Sequence, residues 1–289
     1  MTYCQKIASG EPHSPVPSLE VLPPVDELLP ASTKGFRGNL NSLLFVLGFQ
    51  LKQLWHRPET LSFEKTVPIE ERRSGIVCRQ LDAEFTQQLI LRCRQEKTTV
   101  QGALNAAMMF AAAKKIRAGQ KTRVHCYTAI DLRKRLKPLV RKENLGVVVS
   151  SLASFYTLGT NTSFWELARD VRQQLEIGLK GNDIFSQVLM MRNSVEFAIA
   201  RSHKSSATVS ITNVGRVNIP RVYGQFELSQ ISFIPAVAAF GGVFSAAVTT
   251  FETQMFLNFP FSEPALSQET METLVDSFMS FLVDASKGR

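Results

Sequence analysis

Apolar residues recur along this chain with two different periods, and the switches between them mark out the elements. Ile76 to Leu81 reads as a strand, and Ala83 to Gln95 as a helix with Phe85, Leu89 and Cys93 on one face. Thr98 or Thr99 is placed to cap a second helix, Val100 to Ile116, which Gly119 closes. Val124, Cys126, Thr128 and Ile130 alternate in a strand that runs into Asp131-Leu132-Arg133. A further strand, Val147 to Tyr156, follows the loop at Asn144 to Gly146. Ser163 caps a helix with Phe164, Leu167, Val171 and Leu175 inward, and Phe185 to Ile199 gives another. Four strands come next, at Thr208 to Thr212, Phe226 to Ile234, Phe244 to Phe251 and Met255 to Phe259. The last helix starts at Ser267 and turns Met271, Leu274, Val275, Phe278, Phe281 and Leu282 inward. Mixed strands with paired helices predict an α/β layered domain over residues 74–289.

Residues 1–73 follow another pattern. Tyr3 to Ser9 reads as the end of a helix, stopped by Gly10 and Pro12. Pro12, Pro15, Pro17, Pro23, Pro24 and Pro30 then define an extended, linker-like arm. Leu40 to Trp55 is apolar with a helical period and stops at Arg57-Pro58. A helix packed on the main domain is the favoured reading of that segment. A membrane-surface helix is the weaker one, because the polar face offers only Lys52.

Composition narrows the class. A hydrophobic fraction of 44% and a charged fraction of 20% are ordinary for a soluble globular protein. No signal peptide is evident, and the run Leu43 to Phe49 falls far short of the ~20 residues a bilayer span needs. Cys4, Cys78, Cys93 and Cys126 show neither metal-ligand nor disulfide spacing, so free thiols in a reducing cytoplasm are expected, with no metal. The net charge of +8 suits an anionic partner. Its one dense cluster is Arg133 to Lys142, where Lys134, Arg135, Lys137, Arg141 and Lys142 form either a solvated loop or a docking patch. Nucleic acid is disfavoured, since no aromatics interleave with these charges.

Several short motifs carry a resemblance. They are Val100-Gln101-Gly102-Ala103-Leu104-Asn105, Ile130-Asp131-Leu132-Arg133, Asn144-Leu145-Gly146 and Ser210-Ile211-Thr212-Asn213-Val214-Gly215, followed by the closing strand pair and helix. Their order and spacing resemble the C-terminal lobe of the chloramphenicol-acetyltransferase-like acyltransferases. That superfamily includes condensation domains, alcohol acetyltransferases, wax ester synthases and phthiocerol dimycocerosyl transferases. Tyr3 to Gly10 and Trp55-His56-Arg57-Pro58 resemble the end of a first lobe and its crossover. The expected fold is therefore a single such lobe of mixed sheet and flanking helices, preceded by the Pro-rich arm and crossover helix.

The resemblance implies transfer of an acyl group from a coenzyme A or carrier-protein thioester to an alcohol or amine, with no bound cofactor. In that family an HHxxxD histidine in the first lobe acts as general base. Here only His13, His56, His125 and His203 are present, and none stands in such a motif. His13 lies in the arm and His56 in the crossover. His203 lies among Arg201, Lys204 and Ser205, and His125 sits in a strand, too far before Asp131 for the motif. Each reads as structural or exposed. Ser210, Thr212, Asn213 and Gly215 are the expected tunnel wall; Asn213 is either an oxyanion donor or a turn former. Asp131 and Arg133 are the expected architectural pair. The missing base implies a first-lobe partner, an absent N-terminal segment or a homo-oligomer; Met1 falls close to where a first lobe would end. The alternative is a non-catalytic module that binds a carrier protein. Half an enzyme should also expose a large apolar patch along Phe226 to Phe259.

Overall fold

The computed structural model describes residues 9–10 and 20–287. The helix expected at Tyr3 to Ser9 lies outside them except for its last residue, as do Cys4, His13 and the prolines at 12, 15 and 17. Two short 3-10 turns, Val25–Leu28 and Ala31–Thr33, lead into helix α1, Gly35–His56. Strand β1 (Arg73–Leu81), α2 (Ala83–Gln95), α3 (Val100–Arg117), β2 (Thr122–Asp131) and β3 (Val149–Leu158) follow. Next come α4 (Phe164–Lys180), α5 (Asp183–Ala200), β4 (Val209–Val217) and a small hairpin of β5 (Val222–Tyr223) and β6 (Phe226–Glu227). Strands β7 (Phe244–Phe251) and β8 (Gln254–Glu263) and helix α6 (Gln268–Ser286) complete the chain.

Six strands form one mixed sheet in the order β1-β8-β7-β4-β2-β3. The middle strands β7, β4 and β2 run parallel to one another, and antiparallel partners flank them on both sides. Parallel strands are normally covered on both faces. Helix α3 lies on the core face, buried from Gly102 to Met109 and again from Ala111 to Ala113. Phe244, Phe259 and Phe278 fill that face further, with Phe259 stacked on Phe244 and edge-on to Phe278. Side-chain caps start the helices, at Thr99 and Ser267 as the sequence predicts and at Asp82 besides. Asp82 accepts from the Phe85 N–H at 2.7 Å, Thr99 from Gly102 at 3.1 Å and Ser267 from Thr270 at 3.2 Å. Thr98 is used differently, donating to the Ala168 carbonyl at 2.7 Å.

Residues 20–34 pack on the domain. Leu28 and Leu29 enter a second apolar cluster with Leu132, Leu136 and Ile184. The Lys137 N–H donates to the Leu28 carbonyl at 2.8 Å.

The strand expected at Phe226 to Ile234 is a correction. Only Phe226–Glu227 pairs, and the chain beyond it crosses the far face of β8 and β1 without a ladder of its own. Side chains of the sheet satisfy its backbone instead. Asn258 Nδ2 donates to the Phe233 carbonyl at 3.0 Å, and Ser74 Oγ accepts from the Val237 and Ala238 N–H groups at 3.1 Å each. Ser262 Oγ donates to the Ala238 carbonyl at 2.7 Å. The expected apolar patch along Phe226 to Phe259 is also absent in that form. Phe256, Leu257 and Phe259 are buried, while Phe226 and Ile234 are exposed.

Two helical glycines separate packing from propensity. A Cβ at Gly102 would sit 2.5 Å from the Ala168 carbonyl oxygen, whereas one at Gly48 would meet nothing within 4 Å. Gly48→Ala should stabilise by about 0.5–1 kcal/mol through helix propensity alone. Gly102→Ala should reverse that sign and cost about 1–3 kcal/mol, because α3 and α4 must separate. Urea unfolding of the two variants checks this.

Candidate functional site

The central strand β4 parts from one neighbour before the other. Its ladder with β2 ends at Thr128↔Ile211, while its ladder with β7 reaches Asn213↔Val248 and resumes at Arg216↔Thr250. Val209 and Ile211 are buried in the core with α3. Alternation therefore turns Ser210 and Thr212 to the far face, where both are half-buried. Tyr127 and Ser245 are the register neighbours of Ser210 on that face. Helix α1 covers β2 and β3, and residues 233–238 cover β8 and β1. Between the two covers lies a half-open strip of hydroxyls on β4 and β7.

Asn213 stands opposite Val248 and so lies beyond Thr212 on the core side of the sheet rather than in the strip, and there its two readings combine. The Gly215 N–H donates to Asn213 Oδ1 at 2.8 Å, and Gly215 adopts φ 71° where the ladder to β7 is interrupted. The turn function is thus real. It also fixes the amide: with Oδ1 taken by an N–H, the NH2 must point the other way, as a donor. Thr249, buried one residue beyond Val248, has no partner for Oγ1 among the described residues. Buried hydroxyls without partners are uncommon and mark positions where polar chemistry is unfinished.

No described histidine can serve this strip as a base. His125 is fully buried under α1, stacked on Phe155 with ring centroids 4.5 Å apart and held by Gln53, whose Nε2 lies 3.2 Å from Nδ1. Burial pushes it down to about 4, with the Ser206 backbone opposing. His56 is half-buried and stacked on Phe155 at 5.0 Å, and His203 is exposed. Cys126 faces α3, where Sγ donates to Asn105 Oδ1 at 3.0 Å, and burial pushes its thiol up to about 12. The strip therefore offers hydroxyls and β4 ends on an amide donor, but neither supplies a base. Among the described residues no cluster suited to a metal ion occurs.

Asp131 and Arg133 form an ion pair. Asp131 Oδ1 accepts from the Arg133 backbone N–H at 3.0 Å and from Nη1 at 3.3 Å. In the adjoining loop Leu132, Leu136 and Val140 are buried, which projects Lys134, Lys137, Arg141 and Lys142 into solvent. Arg135 is set apart from them: its Nη1 donates to the Leu179 carbonyl at the end of α4 at 3.0 Å. Sequence reasoning missed Tyr127, Ser245 and Thr249. One signal was available, a serine interrupting the apolar start of β7 at Ser245.

A family model described as phthiocerol/phthiodiolone dimycocerosyl transferase C-terminus matches residues 72–262. No curated protein matches by sequence. Among solved structures, the trichothecene 15-O-acetyltransferase TRI3 from Fusarium sporotrichioides superposes with a TM-score of 0.71 at 11% identity, over 91% of this chain and 56% of that one. Polyketide synthase associated protein 5 from Mycobacterium tuberculosis gives 0.66 at 13% identity, over 99% and 67%. The epimerization domain of tyrocidine synthetase B gives 0.60 at 14%, over 90% and 61%. At such identities the likeness is one of fold. This chain spans only 56% of the first of them.

The buried imidazole predicts a pH dependence. Its value falls from the ordinary 6.5 to about 4 only in the folded chain. Between those values the unfolded chain binds a proton that the fold refuses, so this part of stability is complete above about 6.5 and is lost on acidification toward 4. His125→Phe, which keeps the stacking on Phe155, should flatten that slope. Urea midpoints for both proteins across this window measure the difference.

Proposed function

This chain belongs to the phthiocerol/phthiodiolone dimycocerosyl transferase C-terminus family, and on that premise we propose that it forms one wall of an acyltransferase site. The reaction is transfer of an acyl group from a coenzyme A or carrier-protein thioester to an alcohol or amine. The acceptor oxygen or nitrogen attacks the thioester carbonyl, and its proton passes to a general base. The C–S bond then breaks, and the sulfur leaves as a thiol after protonation. In this reading the base comes from a first lobe, joined or separate, or from a second copy, because His125 is buried and no described histidine stands on β4 or β7.

The observation that carries the proposal is the orientation of Asn213. Its Oδ1 is held by Gly215 N–H, which leaves the amide NH2 to donate where a thioester oxygen gains negative charge. Lys134, Lys137, Arg141 and Lys142 are proposed to receive the phosphates of the donor or the acidic surface of a carrier protein. A non-catalytic binding module is the second reading, favoured by the absence of an HHxxxD motif from this sequence.

Thiol release from acyl-coenzyme A, measured with an alcohol and amine acceptor mixture, decides between them. We expect no turnover by the chain alone, and turnover once a lobe bearing HHxxxD is added. Silence in both, from a stable monomer, supports the binding module. Within an active pair, Asn213→Asp keeps the acceptor for Gly215 but removes the donor, so kcat should drop about 100-fold with KM little changed. Retention of full activity by Asn213→Asp would reduce Asn213 to a turn former.

A further inference from the structure

Helix α1 presents apolar residues in two opposite directions. Phe49 and Gln53 meet His125 on the sheet, and Ser42, Phe45 and Val46 lie on the same side of the helix, buried or half-buried. On the other side Phe36, Leu43, Leu47, Leu51, Leu54 and Trp55 face solvent, with exposures of 84, 55, 47, 66, 69 and 83%. At ~100° per residue these six fall within about a third of the helix circumference. They form one stripe along the length of a 22-residue helix. Exposed apolar surface of that extent marks an interaction site.

The charges beside the stripe indicate what covers it. From Leu28 to Pro58 the sequence has no Asp or Glu, and Lys34, Arg37, Lys52 and Arg57 are its only formal charges. Lys34, Lys52 and Arg57 are exposed. A second copy would bring these cations together with no acid on either helix to pair them. An anionic lipid surface answers both features, taking the stripe among its acyl chains and the cations at its phosphates. Trp55 and Phe36, the most exposed of the six, stand at opposite ends of the helix, and an indole suits the headgroup level. Among the described residues no helix is long and apolar enough to cross a membrane, so the contact is lateral.

We propose that α1 is an interfacial anchor that lays this chain on an anionic bilayer. The inference stands independently of the transferase reading, since vesicle binding is measured without any acyl substrate. The chain has two tryptophans, so Trp165→Phe leaves Trp55 as the only reporter. With vesicles of equal parts phosphatidylcholine and phosphatidylglycerol, the full chain should float with the lipid, and Trp55 emission should shift to the blue and become shielded from an aqueous quencher. Phosphatidylcholine alone should bind at least about tenfold more weakly. Leu47→Asp/Leu51→Asp should abolish flotation with an unchanged circular dichroism spectrum. Lys52→Glu/Arg57→Glu should weaken binding to the anionic vesicles only. The proposal is overturned if Trp55 does not respond to either vesicle, or if both variants bind as the parent does. It also fails if the parent is a dimer that Leu47→Asp/Leu51→Asp splits while neither form binds lipid; the stripe then seats a second copy.

Discussion

Helix α3 is buried from Gly102 to Met109 and from Ala111 to Ala113, and a helix enclosed on so many sides needs short side chains. Alanine and glycine at 102, 103, 106, 107, 111, 112 and 113 let the sheet, α4 and α6 approach it together. Leu104, Met108 and Met109 then fill the gaps that remain. Polar side chains at this interface satisfy one another across it: Cys126 donates to Asn105 Oδ1, and Asn105 Nδ2 donates to Thr128 Oγ1. The position of β4, and with it the polar strip, depends on this platform, because Val209 and Ile211 rest in the same cluster as α3. The far face can therefore carry hydroxyls without weakening the core.

Much of this arrangement was legible in the sequence, for local reasons. Helix α2, strand β7 and the starts of α3, α4 and α6 follow from periodicity and from capping side chains that act within one turn. The segment after Phe226 was misread because its spacing of apolar residues resembles a strand, whereas its backbone partners are Ser74, Asn258 and Ser262, far away in sequence. The site was legible in part. Asn213 and Gly215 stand out as residues, but the bulge that orients the amide depends on where β2 stops pairing and β7 continues. No local pattern encodes that. The two-sidedness of α1 was hidden for a related reason: an apolar helix does not reveal which of its faces a distant sheet will take.

Electrostatically the two faces of the molecule are managed in opposite ways. Burial in the interior holds His125 neutral and Cys93 and Cys126 protonated. The surface keeps its cations free of the core by anchoring their loop with Leu132, Leu136 and Val140. Ion pairs such as Arg79 with Glu272 and Asp276 tie α6 to β1 but leave the basic loop unneutralised. A polar strip without a base and a loop of exposed cations are both incomplete as they stand. Each suits a surface that meets something else.

The pairing of β1 with β8 extends this to biosynthesis. These strands, the first and last of the sheet, hydrogen-bond in register from Arg73↔Glu263 to Leu81↔Met255. A nascent chain leaving the ribosome can form α2, α3 and the β2–β3 pair early, since their contacts are local. The side of β1 that meets β8 stays unpaired until residue 263 has emerged. Until then an open strand edge and the apolar underside of the sheet are exposed together, a combination that invites aggregation. For this fold, the time between synthesis of β1 and of β8 is the interval in which a chaperone has most to protect.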